Sequence, residues 1–168
     1  MNRRDIVFGG ASVAAIGALA WSLRGGSSAS VVTQAQAAQI YEVSFTDDEW
    51  RKRLSPEAYN VLRQQGTEYP GTSPLLNEHR AGIFSCTGCD LALFDSKTKF
   101  ESGTGWPSFN DPVSGSVESS EDDSYGMVRT EVHCSRCGGH LGHVFDDGPP
   151  PTHLRYCING IAMKFEPE

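Results

Sequence analysis

The alternation of apolar and polar residues divides the chain, beyond its N-terminal segment, into a short helical part and a longer part with a strand-like period. Two helix starts come first. Thr46 followed three residues later by Glu49 is a capping box, in which each side chain accepts a backbone N–H of the other residue. Ser55 before Pro56 gives a second start, and Gly66 ends that run. We therefore expect two short helices before the main body of the fold.

Beyond Gly82 the apolar residues recur at every second position in short runs, separated by glycine and proline, which predicts β-strands. The predicted strands cover residues 83–84, 91–94, 127–132, 140–145, 154–158 and 161–165. The acidic, serine-rich stretch at residues 118–124 is predicted to be a solvated loop. The pattern indicates a mainly β protein.

Length and charge limit the classes of protein to consider. A chain of 168 residues supports one domain with a real core. Its formal net charge is −7, whereas a phosphate-binding surface needs clustered Lys and Arg to displace counterions. We therefore expect no nucleic-acid partner.

Residues 1–37 have the layout of a targeting segment. Arg3 and Arg4 precede an apolar, glycine-containing stretch over residues 6–21, and an A-x-A pattern offers a later cleavage site. The arginine pair resembles a twin-arginine export signal of bacteria. We expect an exported, periplasmic domain over residues 38–168. An uncleaved membrane anchor formed by residues 6–21 is the alternative.

Four of the five cysteines form two Cys-x-x-Cys pairs with tight, glycine-containing turns. The pairs are Cys86 with Cys89 and Cys134 with Cys137. Two such turns bring four thiolates onto one tetrahedral ion, and four sulfurs close its coordination shell. The pattern predicts one structural Zn²⁺ per chain. Two disulfides, which an oxidising compartment favours, and redox-active pairs are the alternatives.

The fifth cysteine, Cys157, stands alone in the motif RYCING. A free cysteine packs readily as a small apolar side chain, which is the simplest interpretation of its place in a predicted strand. Arg155 and Asn159 lie two residues to either side, on the same strand face. A nearby cation favours the thiolate, which is the nucleophilic form. Cys157 is therefore also a candidate nucleophile.

Two histidines and a tryptophan lie in the motifs GHLGHVF and GTGWPSF. His140 and His143 are disfavoured as metal ligands because no thiol or carboxylate remains to complete a second site. They are either buried histidines with satisfied ring nitrogens or a proton donor and positioning pair for a substrate oxygen. Trp106 is either a core residue or an apolar wall for a small methyl group.

These motifs follow one another in a characteristic order: Cys-x-x-Cys, GWPSF, a second Cys-x-x-Cys, GHLGHVF, DDGP and RYCIN. Over residues 46–165 the series resembles the zinc-containing methionine-R-sulfoxide reductases, the B type. The resemblance implies a fold of two antiparallel β-sheets with short N-terminal helices. It also implies a structural zinc site distant from the active site.

The resemblance implies an activity and its principal residues. Cys157 corresponds to the family's nucleophile, which attacks the sulfur of methionine-R-sulfoxide, protein-bound or free, and becomes a sulfenic acid. His140, His143 and Asn159 correspond to residues that bind and polarise the sulfoxide oxygen. A sulfoxide has a poor oxygen leaving group, so attack at sulfur requires a proton at that oxygen. Histidine is suited to supply it.

Four further residues take supporting roles under the same resemblance. Arg155 and Asp147 correspond to a charged pair beside the nucleophile. Trp106 corresponds to the wall for the sulfoxide methyl group, and Phe145 is expected to bind substrate with it.

Recycling is where the chain departs from part of the family. Many relatives have a second cysteine inside the S-G-x-G-W-P motif, where this chain has Thr104. We therefore expect a single-cysteine catalyst, a monomer, whose sulfenic acid is reduced by a thioredoxin-like or other thiol donor. The rival hypotheses are a zinc-stabilised binding module without catalysis and an exported structural protein with two disulfides.

Overall fold

Two short helices open the part of the chain that the computed structural model describes, residues 39–168. They are α1 (Asp47–Arg53) and α2 (Pro56–Gln64). Both begin where the sequence predicts. Thr46 and Glu49 make the reciprocal capping box, and the Ser55 hydroxyl accepts a hydrogen bond from the backbone N–H of Ala58.

Nine β-strands and four 3-10 turns follow in the described residues. The strands are β1 (Gly82–Cys86), β2 (Ala92–Asp95), β3 (Lys99–Phe100), β4 (Ser108–Phe109), β5 (Val117–Asp122), β6 (Arg129–Cys134), β7 (His140–Phe145), β8 (Arg155–Ile158) and β9 (Met163–Pro167). The 3-10 turns are Pro74–Asn77, Ser96–Thr98, Ser124–Gly126 and Gly160–Ala162. The mainly β character predicted from the sequence is confirmed.

The strands form two sheets, and every pair is antiparallel. The smaller sheet has the order β2-β1-β9, with the last strand of the chain beside the first. The larger sheet has the order β3-β4-β8-β7-β6-β5. Strand β8, which carries the lone cysteine, therefore lies inside the larger sheet with a hydrogen-bonded neighbour on each side.

The prediction of a solvated loop at residues 118–124 is wrong. Most of that stretch lies in β5, which pairs with β6 over six residues from Val117 opposite Cys134 to Asp122 opposite Arg129. The strand is at the edge of the larger sheet, and four of its six residues are exposed. A strand exposed in this way needs no apolar alternation, because backbone pairing and polar side-chain contacts such as Asp122 with Arg129 hold it, so its sequence resembles that of a loop.

Smaller differences concern strand ends. Residues 127–128 were predicted as strand, but they lie in the exposed tip between β5 and β6. Residues 161–162 were also predicted as strand, but they belong to the Gly160–Ala162 turn, and β9 begins at Met163. In both places a 3-10 turn, Ser124–Gly126 or Gly160–Ala162, overrides the local apolar pattern. Strands β3 and β4 have two residues each, which is too short for a period to show.

Aromatic side chains fill the space between the two sheets. Phe109 of the larger sheet is fully buried, with its ring centroid 4.3 Å from that of Phe94 and 5.0 Å from that of Phe84 in the smaller sheet. Helix α2 covers a further part of this core with Val61 and Leu62 and packs against β7 and the Gly160–Ala162 turn. The chain leaving α2 is thereby directed toward the end of β8.

The predicted export signal or anchor of residues 1–37, including the apolar stretch 6–21, lies outside the described residues and stays a prediction. Within residues 39–168, none of the helices has both the length and the apolar character needed to cross a membrane.

Candidate active site and metal centre

Cys157 lies in β8 between two strands that supply its neighbours. It is opposite Ser108 of β4 on one side and His143 of β7 on the other. Residues directly opposite each other on antiparallel strands project to the same face of the sheet. The sheet register therefore brings a thiol and an imidazole together, although 14 residues separate them in the sequence.

A cavity of about 140 Å³ opens beside the Cys157 thiol, and we call it the Cys157 cavity. Its wall includes apolar rings, an amide, an imidazole and a guanidinium, from Thr67, Trp106, Arg129, His143, Phe145 and Asn159. Five of the predicted catalytic and substrate-binding residues, Cys157 included, thus meet at one cavity. The cavity is much smaller than the ~300–1,000 Å³ typical of drug-sized ligands, so it has room for one chemical group.

The thiol is held in a largely uncharged state. Burial raises the pKa of Cys157 above its ordinary value, while hydrogen bonding by Thr104 and the charge of Arg155 act in the opposite direction. The Thr104 hydroxyl oxygen lies 3.8 Å from the Cys157 Sγ. Arg155 favours the thiolate, as expected from the sequence, but desolvation of Cys157 outweighs its effect.

Arg155 and Asp147 form the charged pair expected from the sequence. The Arg155 Nε and Nη2 groups donate to the two carboxylate oxygens of Asp147 at 2.8 and 2.9 Å. The guanidinium also lies over the Phe145 ring, 4.4 Å from its centroid. This two-point contact holds Arg155 beside Cys157, and the hydrogen bonds from Arg155 lower the pKa of Asp147.

His143 is oriented by a carboxylate that the sequence argument missed. Its Nε2 lies 2.7 Å from Asp122 Oδ2, which also accepts a hydrogen bond from Arg129 Nη2 at 2.6 Å. Hydrogen bonds from Ser124 and His143 hold the pKa of Asp122 well below its usual range, so it is ionised. Because an ionised carboxylate only accepts, Nε2 of His143 carries a proton and Nδ1 is the remaining ring atom. Burial lowers the pKa of His143, which favours the neutral ring.

His140 is held in the same way but deeper in the protein. Its Nδ1 lies 2.7 Å from Glu131 Oε1, and this hydrogen bond lowers the pKa of Glu131. The ring centroids of His140 and His143 are 5.5 Å apart. The second ring nitrogen of His140, Nε2, is buried and has no hydrogen-bond partner among the described residues. His140 does not line the Cys157 cavity but an adjacent one that shares His143, and its free nitrogen is an unmet hydrogen-bonding position beside the site.

Trp106 and Asn159 are both fixed by backbone atoms. The Trp106 indole Nε1 donates to the carbonyl oxygen of Glu68 at 3.1 Å, and the backbone N–H of Glu68 donates to Asn159 Oδ1 at 2.9 Å. The Asn159 amide nitrogen donates to the carbonyl of Leu141 at 2.9 Å. An amide nitrogen has two hydrogens, so one donor of Asn159 remains for the cavity.

Four residues at or beside the site were not found from the sequence, namely Glu68, Asp122, Arg129 and Glu131. The last three lie on neighbouring strands: Asp122 ends β5, Arg129 begins β6, and Glu131 of β6 lies opposite His143 of β7. Strand β6 gave no alternating signal, because its last four residues, polar and apolar alike, are all buried. Because residues 118–124 were interpreted as a loop, no strand was available to bring Asp122 toward His143.

The four paired cysteines meet between the two sheets. Cys86 ends β1 and Cys134 ends β6, and each is followed by a turn that returns the second cysteine of its pair. The sulfurs lie within 4.8 Å of one another, with 3.8 Å between those of Cys86 and Cys137 and 3.5 Å between those of Cys89 and Cys134. The shortest approaches thus run between the two pairs.

These distances fit a tetrahedral metal and exclude disulfides. Four sulfurs at about 2.3 Å from one Zn²⁺ are about 3.8 Å apart, close to the observed separations. A disulfide requires about 2.05 Å, and all five cysteines in the described residues are free. The alternative of two disulfides is therefore wrong. With four thiolates and no open position, the metal that this site holds is structural.

Comparison with known proteins places this arrangement in a family. A family model described as the SelR domain matches residues 54–167. The chain is 55% identical over 127 residues to the peptide methionine sulfoxide reductase MsrB of Agrobacterium fabrum, covering 75% of this chain and 94% of that protein. It is 54% identical over 129 residues to the MsrB of Leptospira interrogans, covering 76% and 98%. The MsrB of Methanosarcina barkeri is 54% identical over 127 residues, covering 75% and 89%.

The match spans most of the described residues and includes both cysteine pairs, the two histidines and Cys157. The chain is a member of the SelR-domain family, the B-type methionine sulfoxide reductases. The four-cysteine cluster is its structural zinc site, one per chain.

Replacing one zinc ligand should uncouple the two sheets. We expect Cys134→Ser to lose zinc and to be destabilised strongly or unfolded, because metal binding and folding are one equilibrium in a closed thiolate site. Metal analysis with a urea unfolding curve measures both effects. Cys157→Ser is the matched control and should retain one zinc per chain. A stable, metal-free Cys134→Ser protein would contradict the structural role.

The state of the Cys157 thiol gives a second prediction. Because burial raises its pKa, the rate of alkylation by iodoacetamide should increase with pH to a midpoint above the ordinary thiol value. Thr104→Val should slow alkylation at pH 8 by about fivefold, the value of one hydrogen bond that favours the thiolate. Mass spectrometry of the peptide that contains Cys157 follows the reaction. Thr130→Val, an exposed threonine on β6, should have no effect. A midpoint at or below the ordinary value would contradict the dominance of burial.

Proposed function

We propose that this chain is a peptide-methionine (R)-S-oxide reductase, which reduces methionine-R-sulfoxide in oxidised proteins or as the free amino acid. The observation that carries the proposal is the placement of the Cys157 thiol in a small cavity between the Trp106 ring and the His143 imidazole. The cavity has room for a sulfoxide group with its methyl substituent. Membership of a family whose relatives are named peptide methionine sulfoxide reductases supports it.

The reaction balances within the site. The Cys157 sulfur attacks the sulfoxide sulfur, the sulfur–oxygen bond of the substrate breaks, and oxygen transfers to the cysteine. The products are methionine and a Cys157 sulfenic acid, so the substrate sulfur is reduced and the cysteine sulfur is oxidised. The sulfoxide oxygen gains one proton, and the thiol loses one. No proton from solvent is needed overall.

The raised pKa of Cys157 fits this balance. A resting thiol keeps its proton until the sulfoxide is bound, and that proton is then passed to the departing oxygen. His143, with Asp122 fixing its ring, relays the proton through its free Nδ1. His140, the second imidazole, assists His143 in this proton relay. The remaining amide hydrogen of Asn159 binds the sulfoxide oxygen. Arg155, held by Asp147, stabilises the thiolate as it forms.

The geometry also supports selection of one sulfoxide epimer. The sulfur of a bound sulfoxide must face Cys157, its methyl group must face the apolar rings of Trp106 and Phe145, and its oxygen must face His143. Three fixed contacts around one tetrahedral centre leave a single direction for the rest of the methionine side chain. The opposite epimer would exchange its oxygen and methyl positions and would place oxygen against the rings.

Recycling is proposed to use an external thiol. Position 104, whose side chain lies 3.8 Å from the Cys157 sulfur, is threonine and cannot form a disulfide. The other four cysteines are zinc ligands. The sulfenic acid is therefore reduced directly by a thioredoxin-like protein or a small thiol, with the enzyme acting as a monomer.

We further propose that the protein works in the periplasm after export through its twin-arginine-like signal. Arg3, Arg4 and the apolar stretch 6–21 support this location. Cell fractionation with N-terminal sequencing tests it: the expected result is a periplasmic protein that begins near residue 38. Arg3→Lys with Arg4→Lys should retain the full-length form in the cytoplasm. Recovery of unprocessed wild-type protein from the membrane would favour the anchor instead.

A binding module without catalysis is the second candidate, and the site geometry disfavours it. A purely structural Cys157 would be packed on all sides, whereas it lines a cavity together with His143 and Asn159.

Activity on separated epimers tests the proposed function. With dithiothreitol as reductant, the R epimer of N-acetylmethionine sulfoxide should be reduced and the S epimer should not. Cys157→Ser should lower turnover of the R epimer to background because only the nucleophile is lost. Its circular dichroism and zinc content should match those of the wild type. Substantial turnover by the serine variant would refute the mechanism.

The oxidised enzyme should contain a sulfenic acid. One equivalent of R sulfoxide without reductant should leave Cys157 reactive to dimedone, with all four zinc thiolates retained. Thr104→Cys is the complementary variant, and its new thiol should capture the sulfenic acid as a disulfide. Mass spectrometry and zinc release distinguish these products. Loss of two thiols with release of zinc from the wild type would show that a zinc ligand acts as the resolving cysteine.

A further inference from the structure

Two walls of the Cys157 cavity converge on one residue that none of the sequence motifs includes. Glu68 accepts a hydrogen bond from the indole N–H of Trp106 through its carbonyl, and its backbone N–H donates to the Asn159 side chain. The proposed methyl wall and the proposed oxygen-binding amide are therefore attached to the same peptide segment. A displacement of Glu68 would move both.

The Glu68 side chain is anchored on the far side of Asn159. Its carboxylate accepts backbone N–H groups from Gly160 and, at 3.2 Å, from Ile161, which begin the 3-10 turn after β8. Asn159 precedes that turn and makes no side-chain cap to it. A residue 92 positions away in the chain thus supplies the acceptors that the first N–H groups of the turn lack.

Anchoring the turn in this way costs free energy, because it removes part of the Glu68 carboxylate from water. The Glu68 side chain is partly buried and takes part in none of the ion pairs within residues 39–168. Burial raises the pKa of Glu68, and the N–H groups of Gly160 and Ile161 act in the opposite direction. The two hydrogen bonds from Gly160 and Ile161 offset the free-energy cost of burying this carboxylate.

The Gly160–Ala162 turn is tightly packed against its neighbours. A Cβ placed on Gly160 would lie 1.8 Å from the Ser73 hydroxyl and 3.3 Å from the Glu68 carboxylate. Gly160 must therefore be glycine, and the turn is packed between Glu68 and Ser73. A displacement of Glu68 would be transmitted to the turn, then to Asn159 directly before it, and through the end of β8 to Cys157.

From these contacts we propose that Glu68 is a positioning residue that sets the width of the Cys157 cavity between Trp106 and Asn159. It thereby determines how strictly the cavity selects a methyl over a larger alkyl group on the sulfoxide sulfur. The inference rests on the proposed function and assigns it a specificity determinant outside the reacting groups.

The test compares Glu68→Gln and Glu68→Ala with the wild type and with Glu57→Gln. Glutamine keeps the size of the side chain but places an amide N–H₂ against one of the two backbone donors, and alanine removes both acceptors. Glu57 is an exposed carboxylate that lines the same surface groove as Glu68 and makes no side-chain hydrogen bond in the described structure, which makes it the matched control. The substrates are the R sulfoxides of methionine and of its S-ethyl homologue.

The expected result is a KM for methionine-R-sulfoxide that rises about tenfold in Glu68→Gln, with a smaller change in kcat. The preference for methyl over ethyl should fall by a similar factor, and the Trp106 indole N–H signal in nitrogen-15 NMR should shift. Glu57→Gln should leave all three unchanged.

A Glu68→Gln enzyme that is only less stable to heat, with wild-type KM, wild-type methyl preference and an unmoved indole signal, would overturn the inference. If Glu68→Ala does not fold, Glu68→Gln decides alone. Failure of the proposed function is distinguishable, because the wild type itself would then reduce neither sulfoxide.

Discussion

The backbone hydrogen bonding of β8 between β4 and β7 is the constraint on which the site depends. It fixes Cys157 opposite His143 and Ser108 without any contact between their side chains being required. A register change of one residue would turn Cys157 to the other face of the sheet. Pairing of β7 with β6 then brings the Glu131 carboxylate to His140. Pairing of β6 with β5 brings the Asp122 carboxylate to His143. The chemistry is thus assembled by strand order, and the sheet acts as its template.

The zinc thiolates and the aromatic core connect the two sheets to each other. Zinc joins the end of β1 to the end of β6, and Phe109 joins the larger sheet to Phe84 and Phe94 of the smaller one. Neither contact touches the Cys157 cavity. Strands β3 and β4 of the larger sheet have two residues each and so contribute little pairing energy, and these two connections keep the larger sheet from shifting against its neighbour.

The residues with distinctive chemistry could be recognised from the sequence, but the carboxylates that orient the histidines and the cavity walls could not. Both cysteine pairs and the two helix caps follow from local spacing, the pairing of Arg155 with Asp147 is implied by the family resemblance, and the structure has all of them. Asp122 and Glu68 could not be found in this way. Asp122 acts through a strand whose exposed residues carry no apolar period, and Glu68 acts through its backbone atoms and a contact 92 residues away. Such long-range pairings have no signature in a single sequence.

Strand β5 forms an edge of the larger sheet. Its outer N–H and C=O groups are unpaired within the described residues, and a rim of this kind readily recruits a strand from another polypeptide. Glu118 and Glu121 place negative charges along it. Charged side chains along an exposed edge oppose the addition of a second strand, so β5 is protected against edge-to-edge aggregation.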